Sequence, residues 1–161
     1  MNGFNIAATV QSDLADVRAM FAAYALGLPV DLDAQGFDAE LASLPGPYGA
    51  PGGALLIARS DTGKALGCIA LRRLDADACE VKRLYVLPSA RGMGLGKALI
   101  AAVIAEARRA GYRQMKLDTL PTMQAAIAIY RDHGFVPIQP YGSYPYPGLM
   151  CLGKTLAPTS G

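Results

Sequence analysis

Between positions 91 and 97 the chain reads Arg-Gly-Met-Gly-Leu-Gly-Lys, three glycines at alternate positions with a cation at each end. Glycine has no Cβ, so such a loop lets backbone N–H groups come close to a ligand. From Leu95 onward the apolar residues Leu95, Leu99, Ala102 and Val103 fall on one face of a helix. A helix starting at about Leu95 aims its unpaired first-turn N–H groups, and the positive end of its dipole, back into the loop. Arg91 and Lys97 add charge. The chemistry this combination predicts is the binding of a phosphate or pyrophosphate group.

Spacing separates the phosphate ligands. A P-loop, G-x-x-x-x-G-K-[ST], counted back from Gly96-Lys97, needs glycine at 91 and a hydroxyl at 98, but those positions hold Arg91 and Ala98. The dinucleotide fingerprint G-x-G-x-x-G, started at Gly92 or Gly94, needs glycine where Lys97 or Leu99 stands. What fits is R-x-x-G-x-G, formed by Arg91, Gly94 and Gly96 directly between an apolar strand and a helix.

That pattern resembles the acetyl-CoA motif of the GNAT superfamily of N-acetyltransferases. The flanks agree: KRLYVLPSARG before the loop is similar to the family's fourth strand and the turn after it. LDTLPTMQAAIAIYRDHGF resembles its next strand followed by an A-x-x-[LI]-Y-x-x-x-G-F helix. The resemblance covers roughly residues 54 to 136. It implies an α/β fold, a central mixed, twisted sheet with helices on both faces, forming one domain over residues 1–161 with its acetyl-CoA core at 79–136. It implies acetyl-CoA as acetyl donor, held by Arg91, Gly92, Met93, Gly94, Leu95, Gly96 and Lys97 and by main-chain N–H groups of Leu84, Tyr85 and Val86. The implied reaction is direct transfer to a primary amine, on a small molecule or a peptide, in a ternary complex. A non-catalytic CoA-binding module is the alternative. Homodimers through the sheet edge or the last strand are common in the family.

The same resemblance nominates two catalytic side chains. Glu80, eleven residues before Arg91, matches the glutamate that acts as general base in histone-type members. Period-2 alternation puts Glu80, Lys82, Leu84 and Val86 on one face of the strand, and the plainer alternative is a Glu80–Lys82 pair on a solvated sheet face. Asp118 is the rival carboxylate. Tyr130 occupies the motif tyrosine, and a phenol with a pKa of about 10 suits protonating a departing thiolate. Its alternative is a core tyrosine. Where the family often has an asparagine that bonds the pantetheine arm, this chain has Met123, and Thr122 could take that contact. His133 falls in the last helical turn and reads as a cap or a surface residue. Tyr141, Tyr144 and Tyr146, among prolines, form a rigid loop that could close over the acceptor or pack as a connection.

These residues must be positioned by the rest of the chain. Phe4 to Val10 alternates as a first strand, and Ser12-Asp13 offers an N-cap for a helix carrying Leu14, Val17, Phe21 and Ala25, ended by Pro29. A short helix is expected at Phe37 to Leu44, then a Pro/Gly loop over residues 44–53. Strands Ala54–Arg59, Ala65–Leu74 and Cys79–Val86, joined by turns at 61–63 and 75–77, read as an antiparallel meander. A strand at Met115–Thr119, a helix closed by Gly134 and a last strand near Leu149–Leu156 complete the order. The 161 residues are 52% apolar and 17% charged, which argues for a folded core, and a net charge of +2 without a basic run argues against nucleic acid. No apolar stretch approaches membrane-spanning length. The N-terminus lacks a signal-peptide pattern, and three cysteines without metal spacing read as reduced thiols in a cytoplasmic protein.

Overall fold

The structure, a computed structural model, describes residues 3–28, 36–142 and 148–156. Seven strands form one sheet: β1 Phe4–Ala8, β2 Ala54–Ser60, β3 Ala65–Arg73, β4 Ala78–Val86, β5 Gln114–Thr119, β6 Val136–Pro137 and β7 Met150–Thr155. The order across the sheet is β1-β2-β3-β4-β5-β7-β6. Among the described strands β4 and β5 pair in parallel and the other neighbours pair antiparallel, so the sheet is mixed as expected.

Both faces of the sheet are covered. Helix α1 (Leu14–Leu26) and the short α2 (Phe37–Ser43) bury Val17, Phe21 and Phe37 against Leu55, Ile57, Cys68 and Ala70. Helix α3 (Leu95–Arg109) lays Leu95, Leu99, Ile100 and Val103 on the opposite face, against Leu56, Ile69 and Leu71. Such double coverage explains why β2 and β3 read as nearly unbroken apolar runs instead of alternating ones. Each fully buried Leu or Ile of α3 contributes roughly 1.5–3 kcal/mol by leaving water. Helix α4 (Gln124–Asp132) adds Ala126, Ile129 and Tyr130 to the α3 side. Gly111 and Gly134, at φ +90 and +89, close α3 and α4 in the left-handed conformation that glycine tolerates. The expected stop at Pro29 lies outside the described residues, as do Tyr144 and Tyr146.

Two departures from regular sheet geometry build the site. The first is a splay. Pairing between β4 and β5 runs Ala78↔Gln114, Cys79↔Met115 and Glu80↔Lys116 and then ends. Strand β5 stays paired with β7 along its whole length, from Gln114↔Thr155 to Thr119↔Met150, and so leaves β4 behind. The second is a bulge at Arg83, whose φ is +61 where the β3–β4 register slips between Cys68↔Tyr85 and Ala70↔Lys82. Strict alternation therefore fails. Glu80 and Lys82 lie on the α1/α2 face, but beyond the bulge Leu84 and Val86 pack into the α3 cluster and Tyr85 into the α1 cluster. The expectation that Glu80, Lys82, Leu84 and Val86 share one face is corrected by that extra residue.

Candidate active site

A cleft of about 1010 Å³ opens where β4 parts from β5. One wall is the end of β4, with Leu84, Tyr85 and Val86, and the floor is the loop from Arg91 into the first turn of α3. Facing them are Thr122, Met123 and the start of α4, and the rim comes from Tyr24, Gly27 and Leu28 at the end of α1.

The loop holds its shape through two glycines. Gly92 and Gly94 sit at φ +89 and +78, and a Cβ built on either would meet nothing within 4 Å, so the space above them is open. Gly94 is the N-cap of α3; its carbonyl accepts from the Ala98 N–H at 3.1 Å, and no side chain caps the helix. The first-turn N–H groups of Leu95, Gly96 and Lys97 are therefore left to an outside acceptor. Gly96 has a different reason to be glycine. A Cβ there would lie 2.8 Å from Cδ1 of Ile129, so it lets α3 and α4 approach. Arg91 Nε donates to the Val86 carbonyl at 3.2 Å, tying the loop to the end of β4. The exposed Lys97 Nζ lies 3.9 Å from Asp132. Nine of the ten residues expected to bind the cofactor line the cleft. The tenth, Met93, does not, because its side chain between two left-handed glycines turns outward and is 44% exposed. Its main chain alone remains to serve the loop.

Glu80 is neither a solvated partner of Lys82 nor an open carboxylate. It is 2% exposed, accepts from Arg72 Nε at 2.6 Å on Oε1, and accepts from the Tyr141 hydroxyl at 2.5 Å on Oε2. Lys82 Nζ stands 3.8 Å from the oxygen that Arg72 holds. Tyr141 is thereby tied to β4. Glu80 is the last β4 residue paired to β5 and does not itself line the cleft.

Tyr130 is buried, its ring 5.8 Å from that of Phe135 between centroids, and burial first, then the fields of Tyr24 and Asp118, push its pKa above the ordinary 10. Its hydroxyl makes no hydrogen bond among the described residues, and no fully buried side-chain oxygen there lacks a partner, so the hydroxyl retains access to solvent. Its neighbours Ala126 and Ile129 line the cleft. Asp118, half-buried on β5, has its carboxyl raised above the usual range by burial, with Lys82 opposing. Among the described residues it has no hydrogen bond or ion pair.

Met123 Sδ accepts a weak bond from the Thr119 hydroxyl at 3.7 Å, and Thr122 lines the cleft beside it. His133 Nδ1 lies 2.8 Å from the Ile129 carbonyl, a capping contact. All three cysteines are free and buried, and burial pushes Cys79 up to about 12. Among the described residues no group of three or more His, Cys, Asp or Glu could hold a metal ion. By resemblance the connection after α1 is a candidate wall of the acceptor pocket, and Gly27 and Leu28, which begin it, do line the cleft, whereas nothing in the sequence singles out Tyr24 on the helix itself. Tyr24 carries no motif and is one more residue on an apolar helix.

A model of the acetyltransferase (GNAT) family matches residues 18–135. An N-acetyltransferase of Schizosaccharomyces pombe, itself uncharacterized, is 38% identical over 147 residues, covering 91% of this chain and 90% of that one. The crystal structure of a GNAT-family acetyltransferase from Staphylococcus aureus superposes with a TM-score of 0.80 at 22% identity, over 96% of this chain and 99% of the other. A phosphinothricin acetyltransferase from Sinorhizobium meliloti, solved in complex with acetyl-CoA, gives 0.72 at 18% identity, over 99% and 95%. The last two share the fold with this chain.

Proposed function

The chain belongs to the acetyltransferase (GNAT) family, and from that premise we propose that it moves an acetyl group from acetyl-CoA to a primary amine by direct transfer in a ternary complex. The observation that carries this reading is the junction of an open glycine cradle, at the uncapped start of α3, with the splayed end of β4 in one cleft. Backbone N–H groups of Leu95, Gly96 and Lys97, with the dipole of α3 behind them, suit a pyrophosphate. The β5-facing edge of β4 past Glu80, left without strand partners, offers main-chain groups of Leu84 to Val86 to an extended amide-bearing arm. When bound, acetyl-CoA supplies a thioester, whose acyl carbon an amine can attack and whose sulfur needs a proton on leaving.

The chain's own residues would manage the protons. Tyr130 keeps its proton across neutral pH, since burial raises its pKa, and its hydroxyl is not engaged elsewhere. That makes it the general acid. Glu80 is the general base, oriented by Arg72 and Tyr141, and must shed one of those two bonds or work through water to take a proton. Asp118 is favoured as a second reading by its lack of partners. A cysteine nucleophile is disfavoured, because Cys79 and Cys68 are held as thiols by burial. We also read the chain as one acetyltransferase domain working in the cytoplasm, supported by its single sheet and its unpaired buried thiols.

The test is CoA release over an amine panel with wild type, Glu80→Gln, Asp118→Asn, Tyr130→Phe and Arg91→Ala, alongside acetyl-CoA binding. Acetyl-CoA binding without release to any amine would make the chain a CoA-binding module. Full activity of Glu80→Gln at every pH would move the base to Asp118.

A further inference from the structure

Had the β4–β5 ladder continued past Glu80↔Lys116, Lys82 and Asp118 would stand side by side on the α1/α2 face, at the strand spacing of about 4.8 Å. The splay prevents it. Asp118 has no carboxylate or cationic partner within 4.0 Å among the described residues, and Lys82 reaches only the Glu80 oxygen already held by Arg72. The other charges on this face are committed: Arg72 to Glu80, Arg83 to Glu40 with Nε and Nη2 at 2.9 and 3.0 Å, and Lys116 over the Tyr141 ring at 5.4 Å. Among the described residues that leaves Asp118 without a partner and Lys82 sharing one Glu80 oxygen with Arg72, on opposite lips of the splay. Both are mostly withdrawn from water; the Lys82 side chain is 14% exposed. Charges so withdrawn, one without a partner and one sharing a single carboxylate oxygen, are costly, and a molecule carrying both opposite charges would satisfy them. Tyr24 joins this gap to the cleft, since it lines the cleft and lies within the field of Asp118.

We propose that Lys82 and Asp118 together clamp a zwitterionic acceptor, a free α-amino acid, with its amine on Asp118 and its carboxylate on Lys82. This rests on the acetyltransferase reading and names the acceptor class for that same site. The clamp sets the amine beside the end of β4, and it excludes amines that carry no adjacent anion.

The experiment compares kcat/KM for a series of free amino acids with that for the matching carboxamides and decarboxylated amines. Wild type is expected to favour the free acids by roughly tenfold or more, the effect of losing one hydrogen bond to a charged group. In Lys82→Met that preference collapses towards one. In Asp118→Asn, KM rises for acids and carboxamides together, since both present the amine. Thermal unfolding shows whether either variant is folded, and the wild-type comparison needs no variant at all. Equal use of acids and carboxamides by wild type would overturn the clamp and leave the acetyltransferase reading standing. So would a Lys82→Met that loses both substrates alike. Release of CoA to no amine of any kind would remove both.

Discussion

Replacing Gly94 by alanine separates what the loop costs the fold from what it gives the ligand. Gly94 is at φ +78 and a Cβ there meets nothing within 4 Å. Gly111, at the far end of α3, is at φ +90 with equally open surroundings and does not line the cleft. An L-residue in the left-handed region costs about 1–2 kcal/mol, whatever its surroundings. For a chain of this size each substitution should then lower the melting temperature by roughly 2–8 °C. The two variants should therefore match in stability.

They should not match in binding. The Gly94 methyl would stand in the cradle and hold an anion off the uncapped N–H groups of α3, a loss of at least one charge-assisted contact. That corresponds to about 1.5–3 kcal/mol, or a tenfold or greater rise in Kd for acetyl-CoA. Titration calorimetry at 25 °C on both variants, paired with thermal melts, reads out each quantity separately. If Gly94→Ala binds acetyl-CoA as tightly as Gly111→Ala, the loop is not the cradle and the assignment of the cleft falls.

Tyr130→Phe should lower kcat by roughly a hundredfold without changing acetyl-CoA affinity. Since burial raises the Tyr130 pKa above 10, its hydroxyl should impose no fall in kcat between pH 7 and 10; a wild-type limb in that range that vanishes in Tyr130→Phe would refute the raised pKa, and an undiminished kcat in Tyr130→Phe would refute the role. Glu40→Ala leaves Arg83, whose side chain is 4% exposed, buried without its partner. It should cost about 3 kcal/mol in urea unfolding, and adding Arg83→Met should recover part of that loss, whereas a double variant worse than the sum would contradict a buried ion pair. Burial makes folded Asp118 hold its proton to higher pH than the unfolded chain, whose carboxyl sits near 3.8. Stability is thus lost as pH rises from 3.8 through the folded value, so Asp118→Asn should be more stable than wild type at pH 7, with the advantage shrinking as pH falls towards 4.

The helix start at Leu95, the glycine loop and the three-strand meander were legible because each is written locally, in spacing and in turn residues. So was the parallel β4–β5 pair, which follows from a helix lying between two short apolar strands. What was not legible depends on distant contacts. Nothing near Met93 tells that it turns outward, and nothing near Tyr141 tells that it crosses sixty-one positions to reach Glu80. Gly96 was read as part of the cradle, but its constraint is the methyl of Ile129 on another helix. Tyr24 on α1 was missed for the same reason.

The bulge at Arg83 shows why such a miss concerns function as well as fold. A residue at φ +61 with a large side chain is strained by about 1–3 kcal/mol and persists only if its surroundings overdetermine it. They do: the guanidinium is bound twice by Glu40 and lies 5.7 and 5.4 Å from the ring centres of Tyr24 and Phe37. Through that anchor α1 and α2 hold β4 at the point where it leaves β5. The extra residue turns Leu84 and Val86 into the α3 core, while Lys82 stays on the α1/α2 face opposite Asp118. Without the bulge, strict alternation would carry Leu84 and Val86 onto the Lys82 face as well, and apolar side chains would crowd the lip of the splay. The strain at one residue therefore separates an apolar wall, proposed for the donor arm, from the charged one proposed for the acceptor.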